Sequence, residues 1–339
     1  MLKNIIYSFI IGTYGSFIYK VDFDPNAGTL KVTDSWEIPN ASYVITDGNS
    51  IYTFSESGED SKVYSLIDGV RTEAPCPGDN PCYITLTPDK KYLITADYTS
   101  GSASVYPLQN GTVGERVQKL TFEGSGPITR RQASPHIHQV KFLPPIPGVE
   151  GEWILAPDLG SDRIRILKYN EGNLKYISWI PFPAGSGPRH IEFDVQRKMM
   201  YCIAELSGKV FAFKIGAWEG VPVFELVQSV IADEFNTGGS GDIHLHPQGK
   251  WLYTSHRLQN DGLAVFAVNE DGTIEKKGYV HTKEHPRNFL ITPCGNYIIV
   301  ASKNTCTLQL FKIGQDGVPV ATDTVLDLSP DAPTSVVLR

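Results

Sequence analysis

An arginine and a histidine end the Gly/Ser/Pro-rich segment GSGPRH, as Arg189 and His190. The apolar run IEFDV follows at once, so both polar side chains lie where a buried strand begins. Glu205 comes 16 residues after Arg189, at the end of a second apolar run, MMYCIAE. An arginine and a carboxylate that are held close together either neutralise each other or form an acid–base site. The choice depends on whether the arrangement is repeated.

The arrangement recurs seven times along the chain. The pattern begins with a proline, any residue and a polar or aromatic residue, and continues as an alternating apolar run. Three copies show the full pattern, PCYITLTP, PRHIEFDV and PRNFLITP, and four are degenerate, NASYVITD, HIHQVKFL, SGDIHLHP and PTSVVLR. Successive copies begin 41 to 55 residues apart. The 40 residues that end at Asn40 and the six that follow Pro333 together make 46, one further period. This predicts an all-β fold: one domain over residues 1–339, a seven-bladed β-propeller of four-stranded blades. Its ring is closed by N- and C-terminal strands in one blade. A β-solenoid or a pair of β-sandwiches does not require the residues left over at the two ends of the chain to add up to one period.

A second set of polar residues ends the apolar run that follows each copy. The first strand of a blade leaves one face and the second returns to it, so both sets lie at one mouth of the central channel. The strand starts bring His136, His138, Arg189, His190, Asp242, Arg287 and Asn288. The returning strands bring Glu56, Asp97, Asp158, Glu205, His256 and Arg257.

Several of these residues have simpler interpretations. An Asp or Glu at a strand end, as at Glu56, Asp97 and Asp158, is often a turn-former. The pairs His136/His138 and His244/His246 have the spacing of metal ligands on a strand, but no third and fourth ligand can be identified, which favours buried, hydrogen-bonded histidines over zinc. Arg189 could tie two blades together through a carboxylate.

The composition of the chain argues against several classes of binding partner and of binding site. The net charge of −7 argues against nucleic acid, and no apolar run reaches the length of a membrane span. Five cysteines without a CxxC pair argue against a disulfide framework or a zinc module, and favour a cytoplasmic protein. The N-terminal MLKNIIYSFIIGTYG resembles a signal peptide, but the alternating FIYKVDF after it favours a strand.

The motifs SPHIHQV, PDLGSDRI, GSGPRHIEF, AELSGKV, LHPQGKWLYTSHR and HPRNF lie in register in several repeats. In these the chain resembles the seven-bladed propeller lactonase family, which includes one type of 6-phosphogluconolactonase and the fungal 3-carboxy-cis,cis-muconate lactonising enzyme. The resemblance covers essentially the whole chain. It implies a catalytic set of His138, Arg189, Glu205 and Arg257, and no metal or organic cofactor. The chain reads Ser-His-Arg at Arg257, where the family commonly has asparagine in place of His256.

These residue types suit hydrolysis of a sugar-acid lactone, which needs a base for water, a donor for the oxyanion and an acid for the leaving alkoxide. We expect Glu205 to be the base and His138 the proton donor, although the two roles can be exchanged. Arg257, with Arg287 as helper, would hold an anionic group of the substrate, flanked by His136, His190 and His256. Two alternatives stay open: a cycloisomerase that adds a carboxylate to the alkene of a muconate, and a non-catalytic binding propeller.

Overall fold

The computed structural model describes residues 6–235 and 237–339 of the chain. Their strands form seven antiparallel sheets arranged in a ring, so the predicted seven-bladed propeller is confirmed. We number the blades from 1 to 7 around the ring. Among the described residues, helix is limited to the α-helical turn α1 (Thr129–Gln132) and the 3₁₀ turns Gly58–Asp60 and Leu159–Ser161. None of these is long and apolar enough to cross a membrane.

Blades 1 to 3 take all but one of their strands from residues 7–121 of the chain. Blade 1 contains β1 (Tyr7–Tyr14), β2 (Phe17–Asp24) and β3 (Thr29–Glu37). Blade 2 contains β4 (Val44–Asp47), β5 (Ser50–Phe54), β6 (Lys62–Ile67) and β7 (Val70–Pro75). Blade 3 contains β8 (Pro81–Leu86), β9 (Tyr92–Asp97), β10 (Ser102–Gln109), β11 (Thr112–Val113) and β12 (Gln118–Thr121).

The remaining strands complete the ring. Blade 4 contains β13 (Lys141–Phe142), β14 (Glu152–Asp158), β15 (Arg163–Asn170) and β16 (Asn173–Pro181). Blade 5 contains β17 (Pro188–Asp194), β18 (Met199–Ala204), β19 (Lys209–Trp218) and β20 (Val221–Ile231). Blade 6 contains β21 (Ser240–Leu245), β22 (Trp251–His256), β23 (Gly262–Val268) and β24 (Ile274–His281). Blade 7 contains β25 (Pro286–Ile291), β26 (Tyr297–Ser302), β27 (Thr307–Ile313) and β28 (Pro319–Asp327), and β29 (Ala332–Leu338) returns to blade 1.

The ring closes in blade 1, as predicted from the N- and C-terminal residues that together make one period. Strand β29 pairs antiparallel with β1, from Phe9 opposite Leu338 to Tyr14 opposite Ala332. The sheet order is β29-β1-β2-β3, so the last strand of the chain takes the innermost position. The N-terminal apolar run is therefore a strand from Tyr7 onward, while Met1 to Ile5 lie outside the described residues.

Blade 3 departs from the four-stranded prediction, because its outer position is divided between two short strands. Strand β12 pairs with β10 over Ser102 to Val105, and β11 pairs with Leu108 and Gln109. Pro107 lies between the two paired stretches. A proline has no N–H to donate to an outer neighbour, so the ladder is interrupted at this residue.

The described residues form seven apolar clusters, one between each pair of neighbouring blades. Between blades 1 and 7, Phe9 and Phe23 pack with Ile299 and Leu308, all fully buried, and Val336 of β29 joins them. The core is thus distributed around the ring, and every blade is stabilised from both sides. Opening one junction exposes two sheet faces at once.

The closing strand gives the first testable prediction. Removal of residues 332–339 deletes β29 and leaves the inner edge of β1 unpaired beside an exposed apolar face. We expect this truncation to lower the unfolding temperature by well over 10 °C, or to give aggregated protein, by thermal denaturation and gel filtration. Deletion of Arg339 alone, which lies beyond β29, is the control, and an equal effect of both deletions would contradict the role given to closure.

Candidate active site

A cavity of about 210 Å³ lies at the mouth of the channel where the first strands begin and the second strands end. It is lined by residues from every part of the ring: Tyr14, Glu56, Cys82, Tyr98, Arg131, His138, Glu205, Arg257 and Arg287. Five of them, Glu56, His138, Glu205, Arg257 and Arg287, belong to the sets predicted from the repeat. The two sets therefore share one face of the propeller.

A β-bulge at the start of the inner strand places three residues near the cavity. In blade 5, Pro188 pairs with Ala204 and His190 with Ile203, which leaves Arg189 without a partner in the ladder. Cys82 in blade 3 and Arg287 in blade 7 occupy the same bulge position. A bulged residue leaves the alternation of the strand, so its side chain can be aimed at the mouth of the channel. In these three blades, the proline and the residue after it in the repeated motif therefore mark the position of a β-bulge.

Glu205 is the centre of a cluster of guanidiniums. Its Oε1 accepts a hydrogen bond of 2.7 Å from Arg131 Nη2, and its Oε2 lies 3.3 Å from Arg257 Nη2. Arg189 Nε lies 2.9 Å from the same Oε2 at an angle unsuited to a hydrogen bond, so this contact is an ion pair. Burial alone would raise the pKa of Glu205, but Arg257, Arg189 and Arg131 together lower that pKa to about 2. Glu205 is therefore a carboxylate at neutral pH.

His138 faces Glu205 across the cavity. Its Nε2 lies 4.0 Å from Glu205 Oε2, and its Nδ1 lies 3.7 Å from the sulfur of Cys82. The ring meets the rings of Tyr98 and His190 edge-on, at centroid distances of 5.6 and 5.2 Å. Burial, together with the charges of Arg189 and Arg287, holds the pKa of His138 well below 6.5. The imidazole is therefore neutral at physiological pH.

The opposite wall of the cavity is formed by Arg287, Tyr14 and Glu56. Arg287 donates a hydrogen bond of 3.0 Å to Tyr14 Oη, and its guanidinium lies 5.1 Å from the centroid of the Tyr14 ring. Tyr14 Oη in turn donates to the carboxylate of Glu56 at 2.8 Å, and Ser42 donates to the same carboxylate. Within the described chain, no carboxylate lies at ion-pair distance from Arg287. This guanidinium is therefore available to an anionic ligand.

Three of the remaining predicted site residues lie elsewhere. His256 is fully buried inside blade 6, where its Nδ1 lies 3.0 Å from Ser240 Oγ and its Nε2 lies 2.8 Å from Thr254 Oγ1. The prediction that His256 binds substrate is not supported, because both ring nitrogens are used within its own blade. Asp97 accepts hydrogen bonds from the hydroxyls of three neighbours, and Asp158 pairs with Arg165 at 2.7 Å, so both serve the blades.

His136 and His190 lie next to the cavity rather than on its wall. The ring of His136 stacks on Tyr98 at 4.3 Å, and its Nδ1 lies 2.8 Å from the Tyr98 carbonyl oxygen. His190 lies one level down the channel, with Nδ1 2.7 Å from Asp242 Oδ1 and Nε2 3.4 Å from Arg189 Nη1. We infer that His136 positions Tyr98 and that His190 positions Arg189.

Below His190 the channel is filled by hydrogen-bonded polar side chains. Asp242 accepts hydrogen bonds at Oδ2 from His244 Nε2, at 2.8 Å, and from the side-chain amide of Asn288. Asp242 and Asn288 are almost fully buried. The charges of Asp242 and Glu192 raise the pKa of His244 to about 9, so His244 is an imidazolium between two carboxylates. The cavity is thus bounded below by this polar layer.

Four residues of the cavity wall were missed by the sequence reasoning: Tyr14, Cys82, Tyr98 and Arg131. Arg131 lies in the α-helical turn Thr129–Gln132, inside the connection between blades 3 and 4, where the repeat carries no information. Tyr98 comes one position after Asp97, a returning strand end that the repeat identifies, and Tyr14 comes one position after Thr13, the equivalent residue in the N-terminal part of blade 1. The pairing of strand ends could have indicated both tyrosines. Across residues 6–235 and 237–339, no group of His, Cys, Asp and Glu side chains is arranged to hold a metal ion.

The structure is a seven-bladed β-propeller with a candidate active site of one histidine, four nearby guanidiniums and two carboxylates at one mouth of its channel. The family described as "Lactonase, 7-bladed beta-propeller" matches residues 8–337, and the chain belongs to that family. The predicted resemblance is therefore confirmed.

Relatives cover the chain along most of its length. A 6-phosphogluconolactonase of Formosa agariphila is 30% identical over 319 residues, 88% of each chain. A 6-phosphogluconolactonase of Bacillus subtilis is 29% identical over 320 residues, 89% of this chain and 90% of its own. Among solved structures, a protein of Bacteroides fragilis has a TM-score of 0.92 and 34% identity, and covers 100% of this chain and 99% of its own. A periplasmic gluconolactonase of Pseudomonas aeruginosa has a TM-score of 0.85 and 26% identity, with 98% and 99% covered.

Replacement of the central carboxylate should be costly for stability. In Glu205→Gln, the buried guanidiniums of Arg189 and Arg257 lose their counter-charge, and we expect a loss of about 3–5 kcal/mol in the free energy of unfolding. Glu73→Gln, which breaks an exposed pair with Lys62, is the control and should leave the free energy of unfolding nearly unchanged. Denaturant unfolding measures both.

The pH dependence of this difference follows from the lowered pKa of Glu205. The stabilisation is fully present above the pKa of an unfolded glutamate, about 4.3, and is lost as the pH falls towards the folded value of about 2. The gap in stability between wild type and Glu205→Gln should therefore narrow below about pH 4. A gap that is constant from pH 7 to 3 would contradict the ionised cluster.

Proposed function

We propose that this protein hydrolyses the lactone of a sugar acid, and that its substrate is a small anion. Membership of the lactonase family supports the reaction, and the names of the relatives support the substrate class. The observation that carries the anionic substrate is the charge of the cavity. Four guanidiniums, those of Arg131, Arg189, Arg257 and Arg287, lie at or beside a cavity whose described wall contains two carboxylates, Glu205 and Glu56, and burial raises the pKa of Glu56. A negatively charged ligand would complete this site. A cytoplasmic location, predicted from the unpaired cysteines, is part of the same proposal.

His138 is the better candidate for the general base, which exchanges the roles expected from the sequence. A carboxylate held by three guanidiniums with a pKa of about 2 accepts a proton poorly. The thiol of Cys82 is directed at the carbonyl oxygens of Ile137 and His138, at 3.4 and 3.5 Å, so its sulfur is left to accept from His138 Nδ1–H. Nε2 then presents its lone pair to the cavity.

Glu205 stabilises the charge that forms on His138. When Nε2 takes a proton from water, the imidazolium lies 4.0 Å from Glu205 Oε2, and the attraction offsets the cost of a buried cation. The water oxygen bonds to the lactone carbonyl carbon, and the oxyanion faces the N–H groups of Arg257 and Arg131. As the ring C–O bond breaks, the proton on Nε2 passes to the leaving alkoxide. The products are the open-chain acid and a neutral His138.

Substitution of His138 tests the reaction and the base together. The wild type should accelerate the hydrolysis of 6-phosphogluconolactone or of glucono-1,5-lactone above the spontaneous rate. His138→Gln should lower kcat by about 10²–10⁴-fold with an unchanged unfolding temperature. His281→Gln, at an exposed position on β24, is the matched control and should keep the wild-type rate. A His138→Gln enzyme with the wild-type kcat would rule out His138 as the base.

The pH profile gives a further test. The base is active when His138 is neutral, and its pKa lies well below 6.5, so kcat/KM should stay constant as the pH falls from 7.5 through 6.5. It should decline only at a more acidic pH, and Glu205 adds no inflection above about pH 2. An inflection near pH 6.5, or a rate that rises on acidification, would contradict a buried neutral base.

A further inference from the structure

A second, wider compartment adjoins the cavity on the side of blades 7, 1, 2 and 3. It has a volume of about 680 Å³ and shares Tyr14, Glu56, Tyr98 and Arg287 with the inner cavity. Its own walls add uncharged polar side chains and one lysine: Asn40, Ser57, Asn80, Thr99 and Lys303. A ligand whose reactive part lies beside His138 can therefore extend outward past Arg287 without meeting an apolar wall.

Hydrogen bonds connect the uncharged polar residues of this wall, Asn40, Ser57, Asn80 and Thr99, with Asn80 at the centre. Asn80 accepts a hydrogen bond of 2.8 Å from the Gly58 N–H and donates one of 3.0 Å to Thr99 Oγ1. Its backbone φ of +45° is a left-handed conformation that asparagine tolerates better than most residues. The wall thus joins blades 2 and 3 and presents amide and hydroxyl groups, which suit the hydroxyls of a sugar chain.

Lys303 supplies the charge of the outer compartment. It directly follows strand β26, and its backbone N–H donates a hydrogen bond of 2.9 Å to the carbonyl oxygen of His285. Its Nζ lies 5.2 Å from the centroid of the Tyr14 ring, the same ring that Arg287 contacts at 5.1 Å. Among the described residues, no carboxylate lies at ion-pair distance from Lys303.

The surroundings of these cations are positive on several sides. Burial and the charges of Arg287 and Arg257 lower the pKa of Lys303, and burial with the charges of Arg257 and Lys303 lowers the pKa of His285 to about 3. The repulsion between Lys303 and Arg287 would be relieved by a doubly charged anion near both. A phosphate monoester carries about −1.5 to −2 charges at neutral pH.

We infer that the outer compartment binds the charged tail of the lactone, with a phosphate contacting both Arg287 and Lys303, and that Lys303 determines the preference for phosphorylated over unphosphorylated sugar lactones. The inference rests on the proposed function. It also orients the substrate: the lactone ring lies against His138 and Arg257, the hydroxyls face the Asn80 wall, and the phosphate lies under the rim of blade 7.

The experiment measures a ratio, that of kcat/KM for 6-phosphogluconolactone to kcat/KM for glucono-1,5-lactone. Lys303→Met keeps the length of the side chain and removes its charge, and the ratio should fall about 10- to 100-fold. Lys303→Arg should retain most of it. Lys312→Met, at an exposed position on β27 of the same blade and outside both compartments, is the matched control and should leave the ratio unchanged. A ratio in Lys303→Met within twofold of the wild type would overturn the inference.

Binding of the reaction products separates this inference from the proposed function. By calorimetry, 6-phosphogluconate should bind the wild type more tightly than gluconate, and Lys303→Met should remove most of that difference. If this holds while the wild type accelerates no lactone, the phosphate site is supported and the hydrolase proposal fails. If lactones are hydrolysed but the two acids bind equally, the phosphate site fails and the hydrolase proposal remains. If neither is observed, both are overturned.

Discussion

The carboxylate of Glu205 holds together side chains that would otherwise repel one another. Arg131, Arg189 and Arg257 come from three segments far apart in sequence, and each contacts this one group. Removal of several guanidiniums from water is unfavourable unless a counter-charge is present at close range. Glu205 supplies that counter-charge but cannot cancel all of the positive charge, and the excess makes the cavity attractive to anions. The same carboxylate lies 4.0 Å from His138, so one group would serve both the architecture of the site and the charge that forms on the proposed base.

The bulges show how a regular fold produces an irregular site. In a regular strand Arg189 and His190 would point to opposite faces. Because Arg189 has no partner in the ladder, Arg189 reaches Glu205 while His190 turns into the channel towards Asp242. Two adjacent residues thus act at two levels of the same channel. The proline before each bulge marks these positions in the sequence, in blades 3, 5 and 7.

Much of this arrangement is readable from the sequence, because a propeller repeats its register. The period predicted the seven blades, the closure by β29 and the face at which the two sets of strand ends meet. The register gives the height of a residue in its blade but not the direction of its side chain, and for this reason His256 was misassigned: it lies at the correct level and points into blade 6. Arg131 was missed for the opposite reason. It belongs to a connection that occurs once, where no comparison between repeats is possible.

The polar layer below the cavity bears on how a small molecule could enter and leave the cavity. Asp242, Asn288 and His190 fill the channel with side chains that are hydrogen-bonded to one another and almost fully buried. This layer closes the channel below the cavity among the described residues, so a small molecule would reach His138 from the mouth of the channel. If substrate and product both pass through this mouth, each occupies the space that the other needs, and a high concentration of product would slow the entry of substrate.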